Sequence, residues 1–277
     1  MKHKYFLFLV AFLPASCQKM DAGNFVENVS TPSVFIDDSV KMKHITGGSY
    51  KPLYGKDSAD IIVHDFLLDE HPVTNMQYKK FVMANPQWRR SAVKKIFADG
   101  NYLKTWDSDT SFPANIHPNA PVTNISWYAA EAYATSVGKR LPNIDEWEYV
   151  GMADETNYDA RINKSYNEAI LAWYEKPRTF GNEVAQNAQN KWEIYDMHGL
   201  VWEWIQDFNS VLMSGESRKD GATDRNLFCG SASLGASDLM NYAAFMRYAF
   251  RGSLKANYCI QNLGFRCAKD IKNKENE

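Results

Sequence analysis

Hydrophobic positions along this chain fall in short blocks, and each block predicts an element. Ile61-Ile62-Val63 and Phe66-Leu67-Leu68 flank the polar pair His64-Asp65 and predict two short strands. Over 73–83, Met76, Tyr78, Phe81 and Val82 recur at helical spacing, with Thr74 and Asn75 as cap residues. Ala129, Ala130, Ala132 and Ala134 predict a second helix over 128–137. Gly138 follows it where a helix end takes a left-handed turn. Asn143 predicts the cap of a third helix through Asp145, Glu146, Trp147 and Tyr149, whose first-turn acids suit a positive helix start. Residues 154–168 are polar and read as a surface excursion. Residues 186–210 hold short apolar pieces broken by Asn, Gly and Asp, and 228–267 are frequent in Gly and Ser. Short helices in long ordered loops, with few clear strands, predict an irregular α+β domain.

The two ends follow other patterns. Lys2 and Lys4 precede an apolar run over 5–13, and then come Pro14, Ala15, Ser16 and Cys17. A basic start, a short apolar core and small residues before a cut make a secretory signal. The run is too short to span a bilayer, which takes about 20 apolar residues. Small residues directly before Cys17 resemble the lipobox of bacterial lipoproteins, with Pro14 standing where Leu is usual. Gln18 after the cysteine resembles the outer-membrane-sorted kind of Gram-negative bacteria. The expected organisation is a lipoprotein signal peptide over 1–16, lipidated Cys17 with a polar tether over 17–40, one domain over 41–270, and a polar tail over 271–277. No internal repeat interrupts the domain.

Composition narrows the class. Of 277 residues 45% are apolar and 23% charged, which excludes a disordered or fibrous chain. Lys and Arg number 31 against 33 Asp and Glu, so no basic field exists to hold nucleic acid. The 8 Trp and 15 Tyr exceed what a core needs and leave aromatics for clefts. Four cysteines, Cys17 among them, are too few to build a scaffold from disulfides.

Five motifs stand in order. They are Gly47-Gly48-Ser49; His71-Pro-Val-Thr-Asn75; Pro121-Val-Thr-Asn-Ile-Ser-Trp127 leading to Gly138-Lys-Arg-Leu-Pro142 and Glu146-Trp-Glu-Tyr149; Tyr195-Asp-Met-His-Gly199 with Val201-Trp-Glu-Trp204; and Gly264-Phe-Arg-Cys-Ala268. Together they resemble the formylglycine-generating enzyme family, also called the sulfatase-modifying-factor domain, over roughly 41–268. The resemblance implies a variant of the C-type-lectin fold, with a small twisted sheet, two main helices and much ordered loop.

Active members of that family oxidise a cysteine of a sulfatase to formylglycine, using O2 and a copper ion held by two cysteines five residues apart. Thiolates suit Cu(I). The resemblance puts these two positions on Ala243 and Tyr248, which carry no thiol, so copper-dependent formylglycine formation is not expected. Iron is not expected either, because His44, His64, His71, His117 and His198 show no tight metal-ligand spacing. Calcium is the metal left in consideration. The family's Gly-Asn-x-Trp-Glu-Trp site survives here as Glu203, with Leu200 in place of its Asn, and Asn190 is the companion candidate. Cys229 or Cys259 is expected to pair with Cys267, or these thiols form a rearranged site. The family cleft is expected to keep Trp202, Trp204, Arg247, Tyr248 and Arg251, a set suited to an anionic or peptide ligand.

Gly199-Leu-Val-Trp-Glu-Trp204, Asp207-Phe-Asn-Ser210, Phe228-Cys-Gly230, Tyr242-Ala-Ala-Phe-Met-Arg247 and a long insert with Trp173-Tyr174 and Pro177 resemble the accessory proteins encoded with copper nitrite reductase or with copper-chaperone proteins of the respiratory chain. The expectation is an exported, envelope-anchored helper, facing the periplasm, that binds a protein or peptide partner. Two alternatives stand beside it: a metal-dependent oxidoreductase acting on thiols, and a scaffold lipoprotein of a secretion or gliding apparatus.

Overall fold

Two Pro-Val-Thr-Asn segments, Pro72–Asn75 and Pro121–Asn124, run antiparallel beside each other at the centre of the domain. Val122 N–H donates to the Val73 carbonyl at 2.9 Å, and Asn75 N–H donates to Ala120 at 2.9 Å. The computed structural model describes residues 41–52, 60–176, 178–210 and 239–271. All of them lie in one unit, Pro32–Glu277. The expected signal peptide over 1–16, Cys17, the expected tether, Cys229 and residues 272–277 lie outside the described residues.

The strands are short. β1 (Met42–Ile45), β4 (Phe66–Asp69) and β7 (Ala268–Asp270) form one antiparallel sheet in the order β1-β4-β7. β2 (Gly48–Tyr50) pairs antiparallel with β3 (Ile61–Val63), while β5 (Trp202–Trp204) pairs in parallel with β6 (Leu263–Phe265). A Cβ at Gly264 would meet the Val122 carbonyl oxygen at 2.8 Å, so this close approach of β6 to the second Pro-Val-Thr-Asn segment requires glycine.

The helices begin where their caps predict. α1 (Asn75–Ala84) starts at Thr74, whose N–H donates to Gln77 Oε1 at 2.8 Å while its hydroxyl accepts from Gln77 N–H. Asn75, the other cap candidate, turns inward and donates to the Ala120 carbonyl at 3.1 Å. α2 (Trp127–Ser136) is capped by Ser126, and Gly138 follows it at φ +68°. α3 (Ile144–Gly151) carries a reciprocal Asn143–Glu146 box. Two helices depart from the sequence reading. α4 (Lys164–Tyr174) occupies the end of the expected surface excursion and continues beyond it, burying Asn167, Ile170 and Trp173. α5 (Leu239–Gly252) runs through the segment read as Gly- and Ser-rich, and packs on α4.

The core joins Ile45, Phe66 and Leu68 of the sheet to Tyr78 and Phe81 of α1 and Tyr133 of α2. Tyr78 stacks on Tyr133 with centroids 5.9 Å apart, and Phe265 meets both rings edge-on. Cys259 and Cys267 are free, buried thiols, so the Cys259 alternative of the expected bond to Cys267 is not formed, while Cys229 lies outside the described residues. Burial raises the pKa of both, so they pack as small apolar groups. Among the described residues no helix is long and apolar enough to cross a membrane.

Candidate functional site

α3 carries Trp147 and Glu148 side by side, and α5 carries Arg247 and Arg251 one helical turn apart. An i, i+4 pair projects from one helix face, so both guanidinium groups reach the same carboxylate. Arg247 Nη2 donates to Glu148 Oε2 at 2.7 Å, and Arg251 Nη1 donates to Oε1 at 2.6 Å. All three side chains are buried. Burial alone would raise the Glu148 pKa; the two adjacent guanidinium charges outweigh it and hold the carboxyl at about 2. Arg251 also lies over the Trp147 ring, 4.6 Å from its centroid.

Behind this cluster lies a second one. Arg266, fully buried, donates Nε and Nη2 to Glu203 and gives further hydrogen bonds to the carbonyls of Asp69, Tyr195 and Asp196. Trp147 Nε1 donates to Glu203 Oε2 at 2.8 Å. Glu203 is therefore held by a guanidinium and an indole. The calcium reading of Glu203 meets a physical obstacle, because a cation there would sit against the Arg266 charge. Asn190 is spent as well: its Oδ1 accepts from Trp192 and Ile194 N–H, and its Nδ2 donates to Val150. Among the described residues no three His, Cys, Asp or Glu side chains are grouped to hold a metal ion.

The expected cleft residues divide. Arg247, Arg251 and buried Tyr248 come together on α5, and burial raises the Tyr248 phenol pKa. Trp202 is half-buried and joins them through Tyr174, whose ring stacks on it at 4.9 Å and whose oxygen lies 3.5 Å from Arg247 Nη1. Phe250 packs on Trp202 at 4.5 Å. Trp204 does not belong to the cleft. It is fully buried and donates Nε1 to the Ile125 carbonyl at 3.0 Å, because alternate residues of β5 point to opposite faces.

Ala243 and Tyr248, the positions the resemblance assigns to copper, both lie on α5. Five residues along a regular helix turn a side chain by about 140°, so the two positions occupy different faces. Neither offers a thiolate, and the Ala243 carbonyl accepts the Tyr174 hydroxyl at 3.2 Å. The donor set does not fit copper.

Sequence reasoning missed Trp147, Glu148 and Tyr174 as members of this site. The spacing of Arg247 and Arg251 becomes a signal only once α5 is known, because two arginines on one helix face then call for a buried acid. His198 completes the wall. Its Nε2 donates to the Gly151 carbonyl at 2.8 Å, a position shared with the Tyr166 hydroxyl, and its buried Nδ1 has no hydrogen-bond partner among the described residues. Burial, and then the nearby Arg247 charge, lower the imidazole pKa to about 3.

Comparison with known proteins places this geometry in context. Residues 31–271 match the family model described as a sulfatase-modifying factor enzyme 1-like domain. The formylglycine-generating enzyme of Thermomonospora curvata is 32% identical over 256 residues, covering 74% of this chain and 82% of that protein. Serine/threonine-protein kinase pkn1 of Chlamydia caviae is 25% identical over 219 residues, covering 77% of this chain but 34% of the kinase. The chain thus spans about a third of the length of that relative. Among solved structures, PvdO from Pseudomonas aeruginosa aligns at 18% identity with a TM-score of 0.47, over 87% of this chain and 99% of that one.

Proposed function

Because the chain belongs to the sulfatase-modifying factor enzyme 1-like family, we propose that it is a member without formylglycine-generating activity that binds a protein or peptide partner. The observation that carries this reading is the replacement of both copper positions by Ala243 and Tyr248, on different faces of α5. The thiols that remain among the described residues, Cys259 and Cys267, are buried, and burial raises their pKa, which disfavours the thiolate a substitute nucleophile would need.

Binding chemistry nevertheless survives. Two guanidinium groups share the single Glu148 carboxylate, which leaves a positive excess in that cluster. Arg251 gives only Nη1 to Glu148 among the described residues; its side chain is buried, so a partner's carboxylate or carbonyl would have to reach its other N–H groups at the floor of the cleft. Trp202 supplies an aromatic wall beside it. The partner is a protein or peptide of the cell envelope, and assistance to a periplasmic metalloenzyme fits the accessory-branch motifs. Pro14-Ala-Ser-Cys17 supports a lipid anchor at Cys17, with the domain facing the periplasm from the outer membrane of a Gram-negative bacterium. The fold reading is the family's variant of the C-type-lectin fold; the small antiparallel sheet and long ordered loops support it.

The test uses the full chain with Cu(I), O2 and a cysteine peptide taken from a sulfatase. Mass spectrometry is expected to find the thiol unconverted to aldehyde. Catalytic turnover of the peptide would overturn the reading.

A further inference from the structure

We infer that a polar groove separate from the arginine cleft binds a neutral oligosaccharide. Two cavities, of about 590 and 360 Å3, adjoin each other, because Glu183 and Gln186 line both. The larger falls in the range of small-molecule sites, about 300–1,000 Å3. None of the lining residues belongs to α3, α5 or β5, so the inference goes beyond the partner cleft and stands independently of it.

Several side-chain amides line the groove among charged residues. Asn119 and Gln189 line the larger cavity, Asn182 and Asn187 the smaller, and Gln186 both. The amides of Asn119 and Asn182 make no hydrogen bond among the described residues, and Gln186 spends only its Nε2, on the Val184 carbonyl at 3.4 Å. Each free amide presents donors and an acceptor in one plane. Hydroxyl groups, which both donate and accept, satisfy such a set, and a sugar ring carries several in fixed array.

Charge argues against an anion. Lys43 is neutralised by Glu193 at 2.5 Å, and Glu183 is paired with His117 at 3.1 Å where the cavities meet. Lys41, Lys80, His71 and the carboxylate of Glu70 also line the larger cavity, so the groove carries charges of both signs. Apolar groups are few and small apart from Met76 and Leu200, which leaves no deep pocket for hydrophobic side chains of a peptide. Half-buried Tyr195 supplies an apolar ring at the larger end.

The experiment is calorimetric titration of the full chain with maltotetraose, cellotetraose, mannotetraose and chitotriose, alongside a sulfated oligosaccharide. The expected result is saturable binding of a neutral member, insensitive to salt. Gln186→Ala and Asn119→Ala truncate exposed side chains and should leave thermal unfolding in place while weakening that binding about tenfold, the equivalent of one or two good hydrogen bonds. Absence of binding across the neutral panel overturns the inference. So does binding by the sulfated sugar alone with steep salt dependence, and so does neutral binding that both variants leave unchanged.

Discussion

Trp147 donates its indole N–H to Glu203, and its ring lies beneath the guanidinium of Arg251. One side chain therefore joins two buried ion clusters, Glu203 with Arg266 behind it and Glu148 with Arg247 and Arg251 in front. The Trp-Glu-Trp and Phe-Arg-Cys motifs are thereby explained as halves of one structural device. Arg266 needs Glu203, and Glu203 needs Trp147, because each is fully or almost fully buried.

Removing Glu203 leaves Arg266 charged and unpaired in the core. Glu203→Ala is expected to destabilise the fold by about 3–5 kcal/mol. Trp147→Phe keeps most of the packing but withdraws one donor from a buried carboxylate, and its smaller cost is about 1–3 kcal/mol. Urea unfolding followed by circular dichroism measures both. Equal, negligible losses would show that Glu203 is solvated.

His198 makes stability depend on pH. Its pKa is lowered from 6.5 to about 3 in the folded state, so between these values the unfolded chain binds a proton that the folded chain refuses. This contribution is fully present above pH about 6.5 and is lost as pH falls toward 3, at up to about 1.4 kcal/mol per unit. Glu148 acts in a lower window: its depressed pKa contributes stability that disappears between its unfolded value, near 4.5, and about 2. His198→Gln should flatten the slope between pH 6.5 and 5 while leaving the steeper acid limb, in unfolding midpoints measured across pH.

Gly264→Ala tests the contact between β6 and the second Pro-Val-Thr-Asn segment. The added methyl would press on the Val122 carbonyl oxygen, a backbone atom with little room to yield. The expected loss is about 1–3 kcal/mol. Thermal unfolding measures it, and an unchanged midpoint would mean that β6 shifts freely.

The copper positions can be refilled. Ala243→Cys with Tyr248→Cys restores two thiols but keeps them on different faces of α5, about 140° apart. The double variant is expected to gain no two-thiolate Cu(I) site. Competition with a Cu(I) chelator measures this, and a site tight enough to strip the chelator would mean that α5 bends there.

The sequence carried the first half of the domain well and the second half poorly, for identifiable reasons. Thr74, Ser126 and Asn143 are side chains that satisfy free N–H groups, so they mark helix starts without tertiary context. Gly138 marks an end for a similar local reason. α5 carries no such mark within its described residues, and the Gly and Ser around it read as loop. Without that helix the i, i+4 relation of Arg247 and Arg251 was invisible, and so was their claim on Glu148. Trp204 was misread for a different reason. Its motif gives its residue type but not its face, and the pairing of β5 with β6 decides that. Glu203 was read as a calcium ligand because its partner Arg266 stands 63 residues away in sequence.

Metal content of the full chain tests the central claim most directly. Protein loaded with Cu(I), washed with a competing chelator and analysed by mass spectrometry is predicted to retain no stoichiometric copper. One copper per chain, lost on replacing Cys229, Cys259 or Cys267 with serine, would contradict the account and identify a rearranged thiol site.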